Sequence, residues 1–243
     1  MSEILKSHNT DVLVNALPTG SNAASEFYAS AALKANCAFI NCIPSPICQS
    51  SEFQSKFLER RLPLFGDDIK SQIGTTIVHR SLLHMLETRG ARLAWTSQIN
   101  IGGNTHFANF VHRAETKLVS KRKSLARYVS GAEVHVGHHY DPTKGPYKHA
   151  LIELEAWVFA TSRVKISLRL ESDDKPNCAG SLVDLIRLAQ AARDRGIGGP
   201  ISEVCAFYMK SPPNPMDDTE ALENLYHNWN TSSSCSTSPA ESR

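Results

Sequence analysis

Lys117 and Lys121 stand four residues apart in a basic stretch that also carries Arg113, Arg122, Lys123 and Arg127. On a helix that spacing puts both ammonium groups on one face. Two like charges there repel, unless a phosphate or a developing oxyanion sits between them. The pattern by itself favours a solvated basic face. Contact with RNA is a third reading, but no aromatic platform or RNA motif accompanies the charge. Lys148 precedes an apolar run and Lys210 follows another. By position each is an ordinary surface lysine, yet burial lowers a lysine's proton affinity and suits it to acid or base work.

Two turn-like segments hold most other polar candidates: G-D-D-I-K-S-Q-I-G (66–74) and Q-I-N-I-G-G-N-T-H-F-A-N (98–109). Between them Ile69, Ile73, Ile77, Leu82, Leu83 and Leu86 recur at close to helical spacing. This predicts a helix beginning just after Asp67 and Asp68, where acids suit the positive end of the dipole, and stopping near Arg89-Gly90. The G-G-N turn implies a close backbone approach that a side chain would block. Asp174, in D-K-P-N-C-A-G, reads as a cap for the helix after it. His138 and His139 are adjacent, so on a strand they point to opposite faces; no metal site is expected.

The apolar runs 11–17 and 37–43 read as buried strands, with a helix between them capped by Ser21 or Asn22 and another short helix over 53–60. That is the rhythm of a parallel sheet covered by helices. Two strands make a poor sheet, so neighbours or a preceding segment are expected. Residues 92–101 read as a strand and 108–128 as a basic helix. Strand-like runs follow at 133–136, 149–159 and 164–170. In the last, Val164, Ile166, Leu168 and Leu170 alternate with Lys165, Ser167 and Arg169, which predicts a one-faced, mainly antiparallel sheet. Residues 177–195 return to helix and should pack against the first part. The expected division is 1–65, the later part of a Rossmann unit; 66–177, a catalytic and oligomerisation unit; 178–215, a returning helix and segment; and 216–243, a polar disordered tail. The fold class is α/β: a partial Rossmann-type parallel sheet joined to a mainly antiparallel α+β unit.

The chain has 243 residues, 41% hydrophobic, with 26 basic and 24 acidic side chains for a net charge of +2. This supports a real core and argues against bulk binding to nucleic acid or a membrane surface. No apolar run reaches membrane-spanning length and no signal-peptide core opens the chain, so the cytoplasm is expected. The six cysteines form no C-x-x-C pair and read as buried or free thiols.

In order and spacing, several motifs over about residues 11–215 resemble the myo-inositol-1-phosphate synthase family in its archaeal and actinobacterial form. They include V-L-V-N-A-L-P-T-G-S, F-I-N-C-I-P (39–44), G-D-D-I-K-S-Q-I-G-T-T-I-V-H-R (66–80), Q-I-N-I-G-G-N-T (98–105) and K-L-V-S-K (117–121). V-H-V-G (134–137), D-K-P-N-C-A-G (174–180), A-R-D-R-G-I-G-G-P (192–200) and M-K-S-P-P (209–213) complete the set. The resemblance implies NAD-dependent cyclisation of D-glucose 6-phosphate to 1D-myo-inositol 3-phosphate. It implies that Lys117, Lys121, Lys148 and Lys210 converge to bind phosphate, stabilise oxyanions and move protons. It implies that Asp68, Asn104 and Asp174 lie on the cofactor side, that Lys70, Ser71 and Gln72 line the substrate, and that the chain assembles as a homotetramer through the 91–171 sheet.

The chain also departs from the family pattern. His106 stands where the family has Asp after G-G-N-T, Pro146 where it has Asp two residues before Lys148, and His138-His139-Tyr140 where it has G-P-S-D. The family's Gly-rich pyrophosphate turn is not found in these residues, so weak or no NAD binding by this chain alone is expected. A cofactor-less, non-catalytic partner of a complete synthase is the alternative, and a phosphate-binding module without chemistry a third reading.

Overall fold

Short apolar runs build the parallel sheet. β1 (Val12–Asn15) and β2 (Ala38–Asn41) pair in register, Val12 beside Ala38 and Asn15 beside Asn41. The two-residue β3 (Leu64–Phe65) lies on the other side of β2. The computed structural model describes residues 1–105, 107, 108, 125, 129 and 131–229, with Asp174 by its backbone alone. A first helix, α1 (Ser2–Ser7), precedes the sheet and has no counterpart in the sequence expectations. α2 (Asn22–Ala35) joins β1 to β2 and ends at Asn36, whose left-handed backbone is one that asparagine tolerates. α3 (Ser51–Glu59) joins β2 to β3; the Ser50 side chain caps it by accepting from the Phe53 N–H.

The second unit carries the long strands. α4 (Thr75–Thr88) stops at Arg89 and Gly90, as its sequence predicts. It does not begin after Asp68. The backbone of 67–70 is instead paired with a distant segment, so the helix starts only beyond Gly74. β4 (Arg92–Gly102), β5 (Glu133–Tyr140), β6 (Tyr147–Trp157) and β7 (Arg163–Asp173) form one sheet in the order β5-β4-β6-β7. β6 runs antiparallel to both neighbours, whereas β4 and β5 are parallel. The stretch 103–132 between β4 and β5 is long enough for the crossover that a parallel pair needs. Ile152, Leu154 and Ala156 of β6 are buried in one cluster with Leu86 of α4.

β7 runs without a loop into α5 (Asp174–Asp194). The cap is Asp173, which accepts from the Lys175 N–H; Asp174 is the first helical residue and not the cap. Leu185, Ala189 and Ala192 of α5 are fully buried against the first sheet, in one core with Phe39, Ile40, Phe57, Leu64 and Phe65. Alanine at two of these positions lets the helix lie close, and Arg193 ties it to the Asp11 carboxylate at 3.2 Å. α6 (Ser202–Tyr208) and α7 (Asp218–Trp229) finish the described chain. The expected disordered tail is therefore helical over 218–229, because Ala221 and Leu225 give it an apolar side to bury. Residues 230–243 lie outside the described residues.

The G-G turn makes the close approach its sequence implies. A Cβ on Gly103 would lie 2.6 Å from the Asp141 carbonyl oxygen and 2.7 Å from the Gly145 nitrogen, both backbone atoms. Gly103→Ala should therefore cost about 1–3 kcal/mol, the usual range for overpacking. It should lower the urea midpoint without changing the slope. A variant as stable as the parent would mean that the 141–145 turn yields freely.

Candidate functional site

The segment Asp67–Lys70 is held in place by main-chain pairing with Tyr208–Ser211. Lys70 N–H donates to Tyr208 O (2.7 Å), Lys210 N–H to Asp68 O (2.8 Å), Ser211 N–H to Asp67 O (3.0 Å) and Asp67 N–H to Ser211 O (3.1 Å). Asp68 sits in the left-handed region at φ 63°, a conformation aspartate adopts more readily than most residues. Its side chain meets the Lys210 ammonium at 2.9 Å, and Lys210 Nζ also donates to the Ile69 carbonyl at 2.7 Å. Asp68 is 2% exposed, so this ion pair operates where water screens little.

Asp67 takes a different set of partners. Its Oδ1 accepts from Asn41 Nδ2 (2.7 Å) and the Cys48 N–H (3.0 Å), its Oδ2 from the Gln49 N–H (3.3 Å). Burial pushes its carboxyl up to about 7 in spite of these donors. The network continues through Asn41 to Asn15 and Ser25 along the carboxyl ends of β1 and β2. Lys70 turns inward: its ammonium donates to the Ala206 carbonyl (2.7 Å) and the Asp218 carboxylate (2.8 Å), and burial lowers its affinity for the proton to about 8. Arg80 reaches the same Asp218 oxygen at 3.1 Å. Lys70 thus lies behind the site rather than on its surface. From sequence Asp67 is expected only as an acid at a helix start, and Asp218 is not singled out. The doubled acid of G-D-D signals the first; the second has no local signal.

The first turns of α5 close the wall. Asn177 accepts from the Gln72 N–H through its backbone oxygen and from the Ile73 N–H through its side chain, both at 2.9 Å. Cys178 faces Cys42, whose thiol is pushed up to about 12, first by burial and then by Cys178 and Asp68. Ser71 and Gln72 lie in the turn before α4, half-buried and exposed respectively. On the other sheet, Lys148 pairs with Gly102 of β4 and Ser172 of β7, and β7 leads into α5. Lys148 is thus linked through β7 to the start of α5, and Lys210 through Asp68 to the 66–74 segment that Asn177 of α5 meets. Asn104 caps the next segment, its side chain accepting from the Phe107 N–H at 3.1 Å. Lys117, Lys121 and His106 lie outside the described residues, as does the Asp174 side chain.

Among the described residues no cluster of His, Cys, Asp or Glu is arranged to hold a metal ion, and no helix is long and apolar enough to cross a membrane. Two hydroxyls, Ser45 Oγ in the loop leaving β2 and Thr75 Oγ1 at the start of α4, are buried with no hydrogen-bond partner among the described residues. The loop of Ser45 leaves the carboxyl edge of the parallel sheet, where doubly wound folds take their ligands.

Fold and site define an α/β protein that sets a parallel sheet with a buried acid–lysine pair against a mixed sheet. A family model described as Myo-inositol-1-phosphate synthase matches residues 74–175. The inositol-3-phosphate synthase of Corynebacterium glutamicum is 42% identical over 227 residues, which cover 88% of this chain and 62% of that protein. The crystal structure of Ari2 superposes with a TM-score of 0.76 at 35% identity, covering 93% of this chain and 65% of that one. A myo-inositol-1-phosphate synthase-related protein from Thermotoga maritima superposes at 0.78 and 26% identity, covering 93% and 68%. The chain belongs to the myo-inositol-1-phosphate synthase family, and it spans 62% of the length of the Corynebacterium relative.

Two outcomes follow from the buried charges. Asp67 releases its proton at about 7 in the folded chain, against an ordinary value near 3.8. Between those values the unfolded chain has lost the proton and the folded chain has kept it, so stability from this group falls as pH rises. The urea midpoint of the parent relative to Asp67→Asn should decline from pH 4 to 7 and then level; the opposite slope would mean that the three N–H donors outweigh burial. Asp218→Ala leaves the buried Lys70 ammonium with the Ala206 carbonyl but no carboxylate and should cost about 3 kcal/mol. Lys70→Met, which removes the charge, should cost less, and equal losses in denaturant titrations would contradict this.

Proposed function

We propose that this chain provides the sugar-phosphate site of an inositol-3-phosphate synthase, which converts D-glucose 6-phosphate to 1D-myo-inositol 3-phosphate with NAD. The observation that carries the reading is the Lys210 ammonium fixed between the Asp68 carboxylate and the Ile69 carbonyl. It belongs to a chain 42% identical to a protein of that name. Cyclising a phosphorylated sugar builds negative charge on oxygen, and preorganised cations in a dry site stabilise it far better than water does. Lys210 suits that task because its position is already set by two acceptors. Lys148 is proposed as a second cation, with Lys117 and Lys121 completing the group, and Ser71 and Gln72 as contacts to the sugar.

NAD, when bound, would take hydride from the sugar and return it. Asp68, Asn104 and Asp174 are proposed to hold its nicotinamide side. The buried Ser45 hydroxyl, with no described partner at the edge of the parallel sheet, fits a polar ligand there. Asp68 orients Lys210, and burial of the pair keeps water from competing with the substrate. A homotetramer is proposed to form through the outer face of the second sheet, where Ile99 and Leu151 are 42% and 41% exposed. The proposed compartment is the cytoplasm.

A second reading, a non-catalytic partner of a complete synthase, draws on Pro146, which stands exposed in the turn before Lys148. Titration calorimetry and phosphorus NMR separate the two. On the first reading glucose 6-phosphate binds the chain, Lys210→Met and Lys148→Met each weaken it about tenfold, and inositol phosphate forms when NAD is supplied in large excess over the weak affinity expected. Binding without turnover favours the partner role. Binding untouched by either substitution would overturn the site.

A further inference from the structure

The face that the second sheet turns toward α4 is apolar on β6 and polar on β4. Where β6 has Ala150, Ile152 and Leu154, β4 has Thr96, Gln98 and Asn100, all at most 1% exposed. His79 of α4, 0% exposed, reaches into this column. Its Nδ1 lies 3.1 Å from Gln98 Oε1 and its Nε2 2.7 Å from Thr96 Oγ1, which is also 2.9 Å from the Glu153 carbonyl. Gln98 Nε2 donates to Asn100 Oδ1 at 3.4 Å, and Asn100 Nδ2 donates to the Gly137 carbonyl of β5 at 3.3 Å.

Four buried polar side chains stand where aliphatic ones would pack with less desolvation, and each would cost about 1–3 kcal/mol if left unpaired. What such a column supplies is orientation. Gln98 oxygen only accepts, so Nδ1 is the donor in that contact. The Gln98 amide group is thereby left for Asn100 oxygen, and the Asn100 amide group for β5. Beyond Asn100 on the same face come Gly102 and, paired with it, Lys148.

We infer that His79 is the positioning residue for the Lys148 end of the site, acting through Gln98 to fix the Asn100 carboxamide beside Gly102 and Lys148. The inference rests on the sugar-phosphate reading given above. Its test uses the full chain labelled with ¹⁵N, observing the side-chain amide signals of Gln98 and Asn100 while glucose 6-phosphate is added. His79→Asn keeps a polar atom where Nδ1 stood, and His79→Gln keeps one where Nε2 stood. The first should retain the parent Asn100 signal and sugar-phosphate affinity. The second should shift that signal and weaken binding about tenfold, while both lower the melting temperature to a similar extent. If both variants leave the Asn100 signal unmoved, or shift it alike, His79 only fills space and the inference is overturned. Should a His79 variant not fold, Gln98→Met cuts the same chain from the strand side and must shift the Asn100 signal. If glucose 6-phosphate moves no signal of the parent, the sugar-phosphate reading falls, while the Asn100 response to the variants still decides the relay.

Discussion

The antiparallel pairing of Asp67–Lys70 with Tyr208–Ser211 is the contact on which the site depends. These segments lie about 140 residues apart in the chain, and nothing local holds either in an extended form. Paired, they satisfy one another's backbone groups and place Lys210 Nζ against Asp68. The pairing also accounts for the late start of α4, since the Asp67 and Asp68 carbonyls, which a first helical turn would need as acceptors, accept from Ser211 and Lys210 instead. α5 and α6 press on it from the sheet side, with Leu185, Val204 and Met209 fully buried.

Within that pairing three charged side chains take three different partners. Asp67 accepts only from uncharged N–H groups, and burial raises its proton affinity. Asp68 has an ammonium, and Lys70 has a carboxylate from α7. Strand alternation alone would send Asp68 and Lys70 to one side; the left-handed backbone at Asp68, φ 63°, interrupts it. One run of sequence therefore supplies a structural anchor, a site carboxylate and a strap to the last helix.

The two sheets divide the remaining work. The parallel sheet offers its carboxyl edge, lined by Asn15 and Asn41, as a polar shelf. The mixed sheet offers Lys148 and a buried polar column. α5 joins them rigidly, because it starts at the last residue of β7 and ends in the core of the first sheet.

Much of this was legible from sequence because it is local or periodic. The strands at 12–15 and 38–41, the alternation of Val164 to Leu170, the helix stop at Arg89-Gly90 and the crowded Gly103 all reflect side-chain period or backbone permission. The family, too, was legible, because its motifs keep their order. What only the tertiary structure decided is where side chains of one motif go. Lys70 and Asp68 stand two residues apart in the same polar run, yet one is tied to Asp218 behind the site and the other to Lys210. The parallel partner of β4, the helix at 218–229 and the His79–Gln98–Asn100 column likewise arise from contacts distant in sequence. Local pattern carries period and permission; the partner of a buried charge is set by whichever distant segment the fold brings against it.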